Sequence, residues 1–413
     1  MSTTTARTAS NSGLIPDALG YRRSDGRVGI RDNVLVAYLV ECAHHVCREI
    51  VAPFQEDGNV QVVGFPGCYP NAYAEQIMTR LCLHPNTGAV VLVSLGCESF
   101  DRVALADRIR ESGRPVRTLV IQETGGTRAT VEAGRAAVRD ALDTLKDTPR
   151  TPVAWSDLTV GTICGGSDGT SGLTANPAVG RAFDRLTARG ARCVFEETGE
   201  LIGCEHHMEQ RAVTPELGAE IVRTVRKAAD YYEVLGHASI APGNVEGGLT
   251  TIEEKSMGAY AKSGASEIRG IIRPGELPPT GGLYLLDVVP DGEPRHGYPN
   301  MNDTVEIVEL IASGAQLVLF TTGRGSVVGS AVSPVVKVCA NPDTYRRMSE
   351  DMDIDAGRIL AGEASLDEVG DEIVEAIART VRGEPTKSEA LGHQEFQLGY
   401  KSFKPSGPAC LPV

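Results

Sequence analysis

The sequence lacks several features that mark particular protein classes. Aromatic residues make up only 5% of the 413 residues, and one tryptophan is present. There is no CxxC pair, and neither GxxxxGK[ST] nor GxGxxG occurs. A run of about 18 apolar residues, the length needed to cross a bilayer, does not occur. These absences argue against a nucleotide-binding fold and against a membrane protein.

Positive charge is also scarce. Forty Lys and Arg face 54 Asp and Glu, which gives a net charge of −14. We therefore expect no nucleic-acid surface, and an anion could bind only where the local field is reversed. The N-terminus has no apolar secretory region, so the ten cysteines are expected to be reduced thiols in a cytoplasmic protein.

What the chain does contain is a repeated unit of a short apolar run, a glycine-bearing turn and a helical segment. The runs are continuous rather than alternating, which is typical of strands buried on both faces of a parallel sheet. The sequence predicts an α/β fold made of two Rossmann-like parallel-sheet units with helices on both faces. Predicted strands cover residues 34–40, 60–64, 89–95, 118–122, 158–163, 193–195, 283–289, 317–321 and 335–339.

The chain divides into three predicted parts. Residues 1–15 are rich in Ser and Thr and are expected to form a disordered arm. A polar, Pro-containing stretch at 145–157 predicts a boundary, with a first α/β domain over 16–150 and a second, catalytic α/β domain over 151–413.

One glycine-rich loop is a candidate anion site. The run CGGSDGTSG follows a predicted strand, and its backbone N–H groups could surround a substrate anion. An ordinary capped turn is the alternative interpretation. The candidate substrate-binding residues in this loop are Gly165, Gly166, Ser167, Asp168 and Thr170.

Three cysteines follow predicted strands and could meet at the edge of a sheet. Cys68, Cys97 and Cys164, together with Glu98, are the candidate metal ligands. Without a CxxC pair, packing in crowded turns is the competing interpretation. Cys42 and its neighbouring histidines also resemble metal ligands, but their place in a predicted helix favours packing and surface roles.

Charged residues in three further segments are candidate catalytic or binding groups. ETGELIGCEHH contains Glu205 and His206, which could act in acid–base catalysis. Lys255 lies in a helix whose start has capping-box spacing, and it could be a general base or neutralise a carboxylate, although a surface charge pattern would also explain it. Arg324 follows a buried strand and could bind a carboxylate or merely fix its loop.

Taken together, the motifs resemble a known family. GYRRSDGRVGIRDNVLV, VLVSLGCE, CGGSDGTSGLTANPAVG, ETGELIGCEHH, PGNVEGGLTTIEEKSMGA and FTTGRG occur in the order typical of the catalytic region of altronate/galactarate dehydratases. That family also includes the large subunit of a sulfolactate sulfo-lyase. The resemblance covers about residues 20–400.

The resemblance implies β-elimination from a small 2-hydroxy acid with a divalent metal. Iron is the metal most often implied, with manganese or an iron–sulfur cluster as alternatives. Sugar-acid members carry a small N-terminal SAF domain that this sequence lacks at its start, so a separate small subunit is expected. A homo-oligomer is also expected.

The sequence therefore predicts a metal-dependent lyase that converts a small anionic hydroxy acid, such as a sugar acid or a sulfolactate-like acid, to a 2-keto acid. In this prediction Lys255 or His206 is the general base, and Arg324 binds the distal group. A non-catalytic scaffold that kept the fold, or a nucleotide-dependent oxidoreductase, are the alternatives.

Overall fold

A computed structural model describes residues 13–235, 239–291 and 302–401. Residues 1–12, most of the predicted arm, lie outside the described residues, and Leu14 and Ile15 already belong to the first strand. The strands are Leu14–Arg22 (β1), Val28–Gly29 (β2), Asn33–Tyr38 (β3), Val60–Gly64 (β4), Thr87–Ser94 (β5), Val116–Val120 (β6), Arg150–Ala154 (β7), Thr159–Cys164 (β8), Arg192–Phe195 (β9), Ile268–Ile272 (β10), Gly282–Leu286 (β11), Leu317–Thr322 (β12), Val335–Cys339 (β13) and Ile354–Asp355 (β14).

Helices follow most of these strands, as expected for strand–helix units. They are His44–Val51 (α1), Ala72–Cys82 (α2), Arg102–Glu111 (α3), Ile121–Thr124 (α4), Thr127–Leu145 (α5), Ala175–Ala188 (α6), Glu205–Glu209 (α7), Pro215–Leu235 (α8), Pro242–Glu246 (α9), Ile252–Lys262 (α10), Asp303–Ala312 (α11), Pro342–Arg347 (α12), Leu366–Val381 (α13) and Lys387–Ala390 (α14). Among the helices of the described residues, none is both long and apolar enough to cross a membrane.

The strands form two parallel sheets, which confirms the predicted α/β class. The first sheet has the order β4-β3-β5-β6, and the second has the order β10-β11-β9-β8-β12-β13-β14. Every residue of β3, β5, β8, β12 and β13 is buried, as the continuous apolar runs predicted.

A small antiparallel sheet of order β2-β1-β7 was not predicted. Its strand β1 alternates buried and exposed residues, a pattern that the search for continuous apolar runs does not detect. Strand β7 lies inside the stretch expected to be a boundary, where it pairs with β1.

One apolar cluster is shared by the two parallel sheets. It joins Leu92 of the first sheet and Phe65, which follows β4, to Leu286 and Phe320 of the second. Helix α11 packs in this cluster through its apolar face, and Asn302 caps it by accepting a hydrogen bond from the Val305 N–H. The packing places the acidic residues of α11 beside the carboxyl ends of β8 and β9.

Candidate active site

Neighbouring strands β8 and β9 bring a thiol and two carboxylates together. Cys164 ends β8, and Glu197 lies two residues beyond the end of β9. The Cys164 N–H donates to Glu197 Oε1 over 2.6 Å, and the Cys164 thiol donates to Glu200 Oε2 over 3.3 Å. One ligand atom from each of these three residues lies within 4.8 Å of the others, so the group could hold a metal ion.

Two lysines from one helix face these carboxylates. Thr251 caps α10 by accepting from the Glu254 N–H, which agrees with the predicted helix start. Lys255 Nζ lies 2.6 Å from Glu200 Oε1, and the Lys262 ammonium group contacts Glu197 Oε1. The Lys255 side chain is 10% exposed and that of Lys262 is 1% exposed, so only Lys255 is within reach of a small molecule from solvent.

The carboxylates determine the protonation of these lysines and of the thiol. Burial alone would lower the pKa of Lys255, but Glu200 and its neighbours raise that pKa above its usual value. The same balance, with Glu197, raises the pKa of Lys262. Burial and the two carboxylates raise the pKa of the Cys164 thiol well above its usual value. At neutral pH the group therefore contains two ammonium ions and an un-ionised thiol.

Glu197 has an unusual backbone conformation. Its φ of 98° and ψ of 37° lie in the left-handed region, which a residue with a side chain rarely adopts. Such a conformation costs roughly 1–3 kcal/mol and persists where other contacts hold it. Here the Cys164 N–H and the Lys262 ammonium group hold the carboxylate, and the conformation directs it towards β8.

Helix α11 adds further acids. A Cβ at Gly165 would collide with the Asp303 carboxylate, so glycine allows Asp303 to approach the loop after β8. Burial, and then the charge of Glu200, raise the pKa of Asp303 to about 6. Burial raises the pKa of Glu306 to about 8, with Lys401 opposing the shift and Glu309 reinforcing it. Both side chains are only partly exposed.

The glycine-rich loop is fixed mainly by its own residues. Asp168 is buried, and its carboxylate accepts from the Thr170 N–H and from Asn341 Nδ2, each over 2.9 Å. Ser167 donates to Cys164 Sγ over 3.1 Å. Asp168 and Thr170 are thus engaged within the protein, and the loop positions Cys164.

Arg324 lies beside this loop. Its N–H donates to the Gly166 carbonyl over 2.8 Å, which ties the backbone after β12 to the backbone after β8. Its guanidinium group contacts the Gly243 carbonyl and lies 3.1 Å from Glu246 Oε2 on α9. The Arg324 side chain is 41% exposed, so it remains accessible to an anion.

The other predicted site residues lie elsewhere. His206 is 81% exposed in side chain and is paired with Glu209, so its ring faces solvent. Glu205, partly exposed, begins the same short helix. Cys68 and Cys97 are exposed on loops of the first sheet. Beside them Glu98 is buried, where it accepts from Ser94 and from the Gly96 N–H. None of these cysteines joins Cys164 within the described residues as a group of closely spaced ligand atoms.

Sequence reasoning did not select four residues that the structure places at this site. Glu197 and Glu200 belong to the ETGELIGCEHH segment, from which Glu205 and His206 were chosen instead. Lys262 lies seven residues after Lys255, and this spacing puts both on one helix face. The four site residues that the sequence did not predict are Glu197, Glu200, Lys262 and Asp303.

A further buried ion pair fixes the position of α11. Lys401 Nζ lies 2.8 Å from Glu309 Oε2, and both side chains are fully buried. Tyr73 of α2 donates to Glu309 Oε1 over 2.5 Å. Lys401 also donates to the Val288 carbonyl. The acidic face of α11 is therefore anchored to both sheets.

Two family models match the chain. The first, described as D-galactarate dehydratase/altronate hydrolase, second domain, covers residues 20–146. The second, described as D-galactarate/altronate dehydratase, C-terminal, covers residues 155–403.

Curated proteins with similar sequences belong to two enzyme types. A (2R)-sulfolactate sulfo-lyase subunit beta of Chromohalobacter salexigens is 36% identical over 398 residues, which cover 92% of this chain and 96% of that protein. An altronate dehydratase of Bacillus subtilis is 30% identical over 92% of this chain and 76% of its own length. A galactarate dehydratase (L-threo-forming) of Escherichia coli is 32% identical over 85% and 70%.

Proposed function

The chain belongs to the D-galactarate/altronate dehydratase family, and from that premise we propose that it is a carbon–oxygen or carbon–sulfur lyase acting on a small anionic 2-hydroxy acid. One observation carries the proposal. Glu200, at the carboxyl edge of the second sheet, lies between the Cys164 thiol and the Lys255 ammonium group. The carboxyl ends of the strands in a parallel sheet are where α/β enzymes bind their ligands.

Elimination needs a base for the proton α to the carboxylate and positive charge for the enolate that develops. In our proposal Glu200 removes the proton and Lys255 stabilises the enolate, because the raised pKa of Lys255 keeps it cationic. Lys255 is therefore proposed as the cation that stabilises the enolate and not as the general base. His206, which faces solvent, has no part in this scheme.

The leaving group also needs a proton if it departs as water. Asp303, with a pKa of about 6 and the Glu200 charge beside it, is the proposed donor. The C–H electron pair forms the new double bond while the bond from the β-carbon to oxygen, or to sulfur in a sulfonate, breaks. The resulting enol then tautomerises to a 2-keto acid.

The metal that the resemblance implies fits Cys164, Glu197 and Glu200 poorly. Thiolate and carboxylate ligands suit iron or manganese in general. Here, however, each carboxylate already contacts a lysine, and the thiol has a raised pKa. A cation would have to displace two ammonium groups, so we assign no step of the reaction to a metal at this group.

We propose that the substrate carries a second anionic group, a carboxylate or a sulfonate. Arg324 is accessible and joined by its backbone to the Cys164 loop, which makes it the proposed partner for that group. Glycine at position 165 leaves room for the Asp303 carboxylate, and the Gly166 carbonyl accepts the hydrogen bond from the Arg324 N–H. The 96% coverage of the sulfo-lyase subunit favours a sulfolactate-like acid.

A second subunit is part of the proposal. The sulfo-lyase relative is named as a beta subunit, so a small partner chain could complete the site of this protein as well.

Activity against defined acids tests the proposal. The chain, alone and with a co-expressed small subunit, would be incubated anaerobically with iron and with altronate, galactarate or 3-sulfolactate. Formation of 2-keto acid, and of sulfite from sulfolactate, is expected. The E200Q variant should be inactive, whereas E205Q, which changes the same residue type on α7, should retain activity. Absence of product from every acid would overturn the lyase proposal.

A further inference from the structure

Three cysteines occupy equivalent positions at the carboxyl edge of the first sheet. Tyr38 of β3 lies in register with Gly64 of β4 and with Val93 of β5. Cys42, Cys68 and Cys97 each come four residues after one of these three. Three neighbouring strands therefore each present one cysteine at the same distance beyond a common register line.

This edge is the place where such a sheet binds ligands. The sheet has the order β4-β3-β5-β6. After β3 the chain forms β4 on one side of β3, and it then crosses over to form β5 on the other side. The crevice between β3 and β5 is thus a topological switch point. Cys42 and Cys97 follow the two strands that border this crevice.

The three loops contact one another, and their cysteines are accessible. The Glu41 N–H donates to the Pro66 carbonyl over 3.3 Å, and the Ser99 N–H donates to the Cys68 carbonyl over 2.9 Å. All three cysteines are exposed, whereas the other six described cysteines are buried. Packing, which explains a buried cysteine, does not explain these three.

A single metal ion and a metal cluster require different spacings between their thiolate ligands. A single tetrahedral ion with metal–sulfur bonds of about 2.3 Å would hold its thiolates about 4 Å apart. Within residues 13–235, 239–291 and 302–401, no group of three ligand atoms within 4.8 Å of one another contains any of these cysteines. A cluster spreads its thiolate ligands over several iron atoms and so suits wider spacing.

We propose that Cys42, Cys68 and Cys97 ligate an iron–sulfur cluster of the four-iron class. Three protein thiolates would leave one iron without a protein ligand, and the cluster would then supply a Lewis acid for an oxygen atom of a hydroxy acid. No electron transfer is required for that role. Cys164 and Glu98, which the sequence grouped with Cys68 and Cys97, are not ligands in this proposal.

Hydrogen bonds and one ion pair join the loop that carries Cys68 to helix α11. Tyr400 donates to the Tyr69 carbonyl, next to Cys68, over 3.1 Å. Asn71 donates to the carbonyl of Lys401, whose ammonium group is paired with Glu309 on α11. The cysteine-bearing loop is thus joined to the helix that carries Asp303. The substrate role of the cluster rests on the proposed lyase function, whereas its ligation does not.

Cluster loading is measured without any assay of activity. The full chain would be reconstituted anaerobically with ferrous iron and sulfide, desalted, and analysed for iron, acid-labile sulfide, visible absorbance and electron paramagnetic resonance after reduction. We expect both elements in cluster stoichiometry. C42S, C68S and C97S should each retain roughly tenfold less iron and sulfide. C164S, the matched control, should load normally.

The loading results test the cluster separately from the lyase function. Iron bound without sulfide, or normal loading of C42S, would overturn the cluster, even if 2-keto acid formed. A loss of loading in C164S but not in C42S would place the metal at the other site. Unchanged circular dichroism and thermal unfolding of each apo variant would show that the serine replacements leave the fold intact, as expected for exposed positions.

Discussion

Lys255 and Lys262 lie seven residues apart on one face of α10, and each contacts a different carboxylate of the neighbouring pair Glu200 and Glu197. The two ion pairs differ in their access to solvent. Glu200 and Lys255 are 15% and 10% exposed, whereas Glu197 and Lys262 are 4% and 1% exposed. The first pair can meet a substrate, and the second can only support the fold. Separate measurements can therefore test the two pairs.

Replacing Lys255 should affect turnover more than stability. Lys255→Met removes the proposed cation beside the developing enolate, and loss of one such group costs about 10²–10³ in kcat. Glu200 keeps partial access to water, so the loss of its partner Lys255 should change the free energy of unfolding little. Steady-state kinetics of 2-keto acid formation would measure the effect. A variant with a normal kcat would remove Lys255 from the mechanism.

Replacing Lys262 should instead destabilise the protein. Lys262→Met leaves the Glu197 carboxylate buried without its cation, which costs about 3–5 kcal/mol in the free energy of unfolding. The double variant K262M/E197Q, in which a neutral amide replaces the carboxylate, should recover much of that loss. Urea unfolding followed by circular dichroism would test both. Equal stability of the single and double variants would contradict a buried charge pair.

Glu306 should make stability depend on pH. Its pKa is about 8 in the folded protein, against an ordinary value of 4.5. Because the folded state binds this proton more tightly than the unfolded chain, its contribution to the free energy of unfolding falls as pH rises between these values. E306Q should therefore gain stability relative to the wild type from pH 5 to pH 9, on the order of 4 kcal/mol, since one pKa unit corresponds to about 1.4 kcal/mol.

Denaturant unfolding at several pH values would measure this difference. E375Q, which removes a carboxylate from the exposed surface of α13, is the control for a change in net charge. If the unfolding free energies of the wild type and of E306Q changed in parallel over this pH range, burial would not perturb the pKa of Glu306.

The fold could be predicted from the sequence, because its signals are local. Runs such as the one in β5 are continuously apolar, and a strand buried on both faces requires that pattern. The antiparallel strand β1 was missed because only alternate parts of it are buried. Its partner β7 lies in a polar stretch, and their pairing joins residues more than 120 positions apart in the chain.

The candidate site was predicted only in part, because it depends on contacts between distant segments. Cys164 and Lys255 were selected, and the structure brings both to Glu200. Asp303 gave no signal as a site residue, since its role arises from the packing of α11 beside Gly165. The equivalence of Cys42, Cys68 and Cys97 becomes visible only once the strand register is known.

Arg324 should control substrate binding rather than the chemical step. Its guanidinium group is 41% exposed and interacts only with the Gly243 carbonyl and Glu246 among the contacts described. An anion that replaces the Glu246 carboxylate would gain a charge-assisted hydrogen bond, which at a partly exposed position corresponds to about tenfold in affinity. R324A should thus raise KM for a dianionic acid about tenfold, with kcat nearly unchanged.

The companion variant E246Q removes the competing carboxylate and leaves Arg324 in place. It should lower KM modestly, because the guanidinium group no longer has to exchange one anion for another. A monoanionic hydroxy acid should respond to neither change, since it offers no second anionic group. If R324A lowered kcat and left KM unchanged, Arg324 would act on the transition state, and the distal group would have to bind elsewhere.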